Sequence, residues 1–500
     1  MAAAGESTAS SALRPSPSPE RTRFRPGELS IAGVLGIAVA LWGFLAASDP
    51  LSDNSLFTHL ATGRLMLETG AVPTTDPYSY TARGEPWLVQ SWLVSWVYGV
   101  ADAIVGPAAV RVVAGVLGAV AAAGLWALTR PARTLLSRLL VAVPALLVAG
   151  MFWSGRPLLV GYLGTVLVLL SVQRRWAPAW MVPIMWVWTN SHGSFPLAVV
   201  LLVAVVVGRK LDGLDVRADL HRLGWAIAGV ALACINPLGP KLLTFPLDLL
   251  DKTTILRNVL EWASPDFSTT GARLFLVQLL LALVALVRKP AWRRFAPSLA
   301  FVVLALLSLR NVPLASLVLV PAMAPGLAGI GSITGRERGA VALGLGAAVT
   351  VAFAVVVVSV ARAPAFDLRT YPEEATAILA ADGLLGGDAR VLTSDVVGNY
   401  HGLLLGTDAA AFIDDRYDMY PLGLLQNFLV VRGAGPGWDD VLDACGVEAV
   451  LFARSQPIVQ VLTADPAWQV AFSDSEVVLL RRRGAAPEVS PACTAGLGAA

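Results

Sequence analysis

Twelve apolar runs separated by short polar turns leave this chain few ways to fold. They lie at about residues 29–47, 88–106, 109–128, 134–153, 157–173, 177–190, 195–208, 223–236, 271–287, 296–310, 313–330 and 339–361. Most approach the roughly 20 residues of helix that cross about 30 Å of hydrocarbon. There only a helix or a closed barrel satisfies its own backbone polar groups. Runs below about 17 residues are predicted to be broken or re-entrant helices lining protein or water. Of the 500 residues, 56% are hydrophobic and 14% charged, against about a quarter charged in soluble domains. The expected fold is therefore an α-helical polytopic membrane protein with 11–13 spans.

The net charge of +2 and the lack of a basic run interleaved with aromatics argue against a nucleic-acid partner. Cys234, Cys445 and Cys493 are scattered without metal spacing, so neither a disulfide framework nor a zinc site is expected.

Residues 1–28 are rich in Ala, Ser, Pro and Arg and read as a disordered cytoplasmic tail ahead of an uncleaved first span. Sorting the later turns by basic residues puts Arg174 and Arg175, Arg209 and Lys210, Arg288 to Arg294, and Arg336 and Arg338 inside. Arg156, His192, the loop 237–270, Arg310 and everything after 361 then lie outside. Four full spans between 88 and 173 would put Arg174 on the wrong side, so one of them must fail to cross or be two half-spans.

The first external loop, 48–87, carries Asp49, Asp53, His59, Arg64, Glu68, Asp76, Arg83 and Glu85. Such a charge density must stay in water or a polar cleft. It reads as a helix bounded by Gly63 and Gly70, a turn-rich VPTTDPYSYT, and Trp87 and Trp92 at an interface. An amphipathic interfacial hairpin is the plainer account. Residues 364–483 form a different material, short β-branched runs alternating with helical ones, and are predicted to be an extracytoplasmic α/β domain. Residues 484–500 read as a disordered tail.

On that topology one face gathers Asp53, His59, Asp76, Arg156, Asn190, His192, Asn236, Lys241, Glu261, Asp266 and Arg310. Arg156 and Arg310 read equally well as snorkelling interface residues. A shared polar rim suits an anionic, lipid-linked substrate with its head group at the interface. Transfer of a sugar from a polyprenyl phosphate needs a carboxylate within reach of the acceptor hydroxyl and cations to take up charge on the departing phosphate. Asp53 is the expected base, with His59 and Asp76 as further catalytic candidates. Arg156, His192, Arg310 and Lys241 are the expected phosphate contacts.

The pieces DNSLFTHLATGRLMLETGAVPTTDPYSYT, GEPWLVQSWL, GRPLLVGY, WVWTNSHGSF, NPLGPKLLTFPL, LEWASPDF, LRNVPLA, FIDDRYDMYP and GPGWDDVLDACGVEAVLF resemble a family of bacterial membrane proteins. That family is similar to the GT-C glycosyltransferase superfamily, which includes protein O-mannosyltransferases and lipid A aminoarabinose transferases. The resemblance implies a multi-span GT-C core in the cytoplasmic membrane and a polyprenyl-phosphate sugar donor. It also implies a cell-envelope glycan, lipid or protein as acceptor, and a first-loop acid at Asp53. A second acid expected two positions later is Ser55 here, so no metal set is assigned, although a divalent metal stays an option. In FIDDRYDMYP, Asp414, Asp415, Arg416 and Asp418 read either as a ligand site at a strand end or as a salt-bridged turn. The rival to transfer is a non-enzymatic head-group binder, flippase or scaffold. Asp102, the one acid well inside an apolar run, is its main support.

Overall fold

The computed structural model describes residues 29–248 and 262–496. Helices occupy all twelve apolar runs: α1 (Ile31–Ala47), then, after α2 (Asn54–Thr69) of the first loop, α3 (Trp92–Val105), α4 (Ala108–Leu128), α5 (Leu135–Gly150), α6 (Leu158–Arg174), α7 (Met181–Thr189), α8 (Pro196–Leu211), α9 (Arg217–Leu232), α10 (Thr270–Arg288), α11 (Trp292–Leu307), α12 (Val312–Gly326) and α13 (Ala340–Arg362). Among the described residues three helical segments, Ala108–Ala132, Thr270–Arg288 and Ala340–Arg362, are long and apolar enough to cross a membrane. Apolar on every side, α12 is buried along nearly its whole length, as such a helix must be. The outer helices expose large apolar side chains, among them Val341, Val351, Leu283 and Val287, a belt that water would not tolerate at this extent.

The helix ends fall at two levels. At one, the N–H of Ile31 bonds to the carbonyl of Glu337, that of Leu135 to Ile333, and that of Gly329 to Ala132. At the other, Arg111 at the start of α4 donates to the carbonyls of Ser48 (3.0 Å) and Pro364 (2.7 Å). The end of α1 and the start of α4 therefore share a level, and α2 and α3 both lie on that side. The segment between them thus begins and ends at one level, as the expected non-crossing run between 88 and 173 would.

Gly63 lies inside α2, not at its boundary, and Gly70 caps the helix in the left-handed region at φ 67°. Gly63 is small because α2 and α3 touch there. A Cβ on it would sit 2.8 Å from the backbone nitrogen of Gly99, and nearer still to the carbonyl oxygen of Ser95. Gly63→Ala should therefore cost about 1–3 kcal/mol through overpacking, read as a fall in thermal midpoint of the detergent-solubilised protein. Gly224→Ala, whose added carbon meets nothing within 4 Å, should change stability by no more than about 1 kcal/mol.

Beyond α13 lies a small α/β unit with α14 (Glu373–Ala381), β1 (Val391–Thr393), α15 (Asp395–Leu405), α16 (Leu422–Arg432), α17 (Trp438–Ala444), β2 (Ala449–Ala453), α18 (Pro457–Ala464), β3 (Trp468–Ser473) and β4 (Val477–Arg482). The sheet order is β1-β2-β4-β3, with β1 parallel to β2 and the other pairs antiparallel. Ala410–Ile413, expected as a strand, makes only isolated bridges from Ala411 to Ser79 and Val391. Two expectations are corrected here. Cys445 and Cys493 form a disulfide, which their 48-residue separation hid because nothing in the spacing announces it. Residues 484–496 also pack back onto the domain as described structure, ending in a short helix (Ala492–Ala495). There Asn427 donates to the carbonyls of Ala492 (3.2 Å) and Cys493 (2.9 Å).

Candidate functional site

A cavity of about 760 Å³ opens where α2, the starts of α6 and α8, and the α/β unit meet. His59, Arg156, His192 and Arg310 line it, together with Asp395, Asp415 and Asp418 from the C-terminal part of the chain.

Asp53 stands at its edge as the N-cap of α2. One carboxylate oxygen accepts the N–H of Ser55 at 3.0 Å, and the other accepts Nε of Arg156 at 2.6 Å. With both oxygens engaged, Asp53 holds the Arg156 guanidinium in place. Arg310 is held differently, its guanidinium 4.5 Å from the ring centroid of Trp262.

Burial disfavours the charged form of both histidines. Burial pushes His59 down to about 4, opposed by Asp53 and aided by Arg156; its Nδ1 lies 3.0 Å from the hydroxyl of Ser95. Burial, with the charge of Arg310 nearby, pushes His192 down to about 3. Nδ1 of His192 accepts the N–H of Ser194 at 3.1 Å, so its proton sits on Nε2. Each ring supplies a neutral hydrogen bond, and the positive charge comes from the arginines.

Asp415 is the carboxylate the cavity favours for proton transfer. Its N–H donates to Oδ1 of Asn399 at 2.9 Å, the side-chain amide of Asn399 donates back to its Oδ1, and the hydroxyl of Thr58 approaches at 3.5 Å. Burial raises it to about 6, with Asp414 adding to the rise and Asn399, Ser55 and Arg156 opposing it. A carboxyl poised there changes protonation close to neutral pH, as a general base must.

Asp76 does not line this cavity. It is buried, accepts the N–H groups of Tyr78 (3.0 Å) and Ser79 (3.1 Å), and pairs with Arg416 at 2.6 Å. Arg416 also grips Asp414 at 2.6 Å and is ringed by Trp87 and Tyr78, at 4.5 and 4.9 Å from the ring centroids. Its buried Nη1 has no hydrogen-bond partner among the described residues, and the residue lines the cavity. FIDDRYDMYP thus divides between two jobs: Asp414 and Arg416 form a salt-bridged clamp, while Asp415 and Asp418 face the cavity.

Other candidates fall elsewhere. Lys241 lies exposed on a 3-10 turn (Gly239–Leu243) and Asp266 folds its carboxylate onto Ser268; neither lines the cavity. The side chain of Asn236 closes its own turn onto Ala233 and Leu238, and that of Asn190 bonds Trp92 and Trp186. Glu261 lies outside the described residues. Asp102 pairs with Arg64 at 2.7 Å, which joins α3 to α2. Among the described residues no three His, Cys, Asp or Glu side chains are grouped to hold a metal. With Asp53 and Asp76 each engaged by an arginine, these carboxylates do not fit a metal centre.

No family model matches the chain, and no curated protein matches it by sequence. Solved structures do. The oligosaccharyltransferase of Archaeoglobus fulgidus, tethered to an acceptor peptide containing the NVT sequon, superposes with a TM-score of 0.51 at 12% identity, over 85% of this chain and 68% of that one. The same enzyme in the apo form gives 0.49 at 10% identity, over 85% and 69%. The first of these likenesses shows a shared fold.

Proposed function

We propose that the chain is a membrane glycosyltransferase that moves a sugar from a polyprenyl-phosphate-linked donor to an acceptor on the outer face of the cytoplasmic membrane. The observation that carries this reading is the convergence, in one cavity, of two fixed arginines and a carboxylate whose protonation changes near pH 6. Arg156 and Arg310 hold the donor phosphate and take up the charge that grows on it as the sugar–oxygen bond breaks. The Asp415 carboxylate accepts the proton of the attacking hydroxyl. Asp53 keeps Arg156 aimed, and Nε2–H of His192 is a further donor toward phosphate.

Three features support the placement. An apolar groove of about 640 Å³ runs along α6 and α7, lined by Val160, Leu163, Leu167, Trp176, Ile184 and Val187. It begins at Val160, two residues along α6 from Leu158, which lines the polar cavity, and is suited to a prenyl chain. The disulfide belongs to an oxidising compartment, in keeping with a C-terminal unit outside. The end of α1 and the start of α4 lie at one level, in keeping with one run between 88 and 173 that does not cross.

Native mass spectrometry of the purified protein tests this reading. Wild type should retain a prenyl-phosphate sugar, and the Arg156→Gln/Arg310→Gln variant should retain at least about tenfold less, the loss of charge-assisted bonds of about 1.5–3 kcal/mol each. Failure of wild type to bind any polyprenyl-phosphate sugar, added or co-purified, would overturn it.

A further inference from the structure

At the opposite end of α6, about 25 Å from the polar cavity, lies a second pocket of about 330 Å³ with four arginines in its lining: Arg175, Arg209, Arg293 and Arg294. The carboxylates that meet this cluster are few. Asp212 accepts Nη1 of Arg293 at 2.8 Å, and buried Asp219 is shared between Nε of Arg209 and Nη1 of Arg222, each at 2.9 Å. Arg294 donates to the carbonyl of Lys289 at 2.6 Å, a neutral partner. Arg175 caps α6 in the left-handed region at φ 53°, where its side chain is exposed. Among the described residues five arginines therefore face two aspartates, and the crowding shows electrostatically. Arg294, outside the helical core at the start of α11, is held below the usual guanidinium range by burial and by Arg293, against the opposing pull of Asp212.

Beneath the arginines the pocket changes character. Leu169, Val172, Val205, Val318, Pro321 and Ala322 make its floor. Between the two zones the buried Oε1 of Gln173 has no hydrogen-bond partner, while its Nε2 donates to the carbonyl of Leu128 at 3.2 Å. The pocket thus offers excess positive charge at its mouth, an acceptor awaiting a hydroxyl donor, and an apolar base.

We propose that this pocket binds an anionic phospholipid from the leaflet opposite the polar cavity. Its phosphate lies on Arg175 and Arg294, a head-group hydroxyl donates to Oε1 of Gln173, and an acyl chain lies along the apolar floor. Cationic pockets between helices at a membrane face recognise anionic lipid head groups by this combination, and a surplus of buried-side cations is stabilised by a counter-ion that brings its own apolar chain. Inorganic phosphate shares the head-group chemistry, but it would leave the floor uncovered.

The full-length protein, stripped of lipid in detergent, can be titrated with phosphatidylglycerol, phosphatidylcholine or inorganic phosphate and followed by native mass spectrometry. Phosphatidylglycerol should bind at least about tenfold tighter than phosphatidylcholine. In Arg175→Gln/Arg294→Gln its affinity should fall about 30-fold, at about 1 kcal/mol for each charge removed, and the corresponding double Lys variant should keep most of the affinity. Equal binding of the two lipids, undiminished binding by the Gln pair, or inorganic phosphate binding as tightly as the lipid would each overturn the proposal. Arg156→Gln, in the other cavity, should leave phosphatidylglycerol binding unchanged, so the two sites fail or succeed separately.

Discussion

Asp415→Asn is expected to lower sugar transfer by about 10²- to 10⁴-fold, the usual contribution of a positioned acid or base, and to leave the protein folded. The variant keeps an oxygen to accept the amide of Asn399 and loses only the ability to take a proton. The sign of the pH dependence follows from the raised carboxyl. Transfer needs the ionised form, so the wild-type rate should climb from acid pH and level off above about 6, an acid limb that the Asn variant lacks. Stability runs the other way. The folded carboxyl titrates at about 6 against an ordinary 3.8, so the folded state binds the proton more tightly. Its contribution is greatest below the ordinary value and is lost as pH rises through about 6. At neutral pH the Asn variant should therefore unfold at the same temperature as wild type or higher. A variant that retains wild-type turnover, or one whose acid limb stays in place, would assign the proton to another group. Asp53→Asn separates the two carboxylates: it frees Arg156 from its partner, and should weaken donor binding without moving the acid limb.

How much of this was legible in the chain varies with the range of the forces involved. The helices were, because hydrocarbon length and backbone satisfaction are local demands that write themselves as apolar runs. That the segment between α1 and α4 returns to the level it left was visible only as a charge-sorting contradiction at Arg174, since a helix packed on α2 looks apolar for the same reason a crossing one does. The polar residues were harder. Arg156, His192 and Arg310 could be placed on one side by counting turns. Yet Asp53 as cap and ion-pair partner of Arg156 needs the geometry of α2, and no periodicity reports that. Thr58 and Asp415 meet across 357 positions, a distance at which pattern carries no information. The strand order and Cys445–Cys493 were hidden likewise, being set by packing between segments.

Arg416→Met should be the most destabilising single change in the polar layer, by about 3–5 kcal/mol, because it strands buried charge. Arg416 is 5% exposed, between Asp76 and Asp414 at 2% each, and among the described residues it alone supplies both with an ion pair. Asp76 belongs to the first loop and Asp414 to the C-terminal unit, so the same guanidinium fastens one to the other. The bonds around it go to backbone carbonyls: Tyr80 N–H to Ala411 (3.0 Å) and Ala411 N–H to Tyr78 (3.0 Å), the Thr81 hydroxyl to Phe412 (2.6 Å), and the Arg83 guanidinium to Ala409 (2.6 Å) and Thr407 (3.1 Å). Losing the clamp should free the loop before the helical bundle responds. Limited proteolysis should then cut Arg416→Met within residues 76–83 under conditions that spare wild type, with a lowered thermal midpoint. Arg416→Lys keeps one charge but cannot grip two carboxylates in a fork, and should fall between them. Asp76→Asn, which leaves Arg416 paired with Asp414, should be milder than the Met variant. If Arg416→Met matched wild type in both measurements, the contact between loop and domain would have to rest on those bonds to backbone carbonyls.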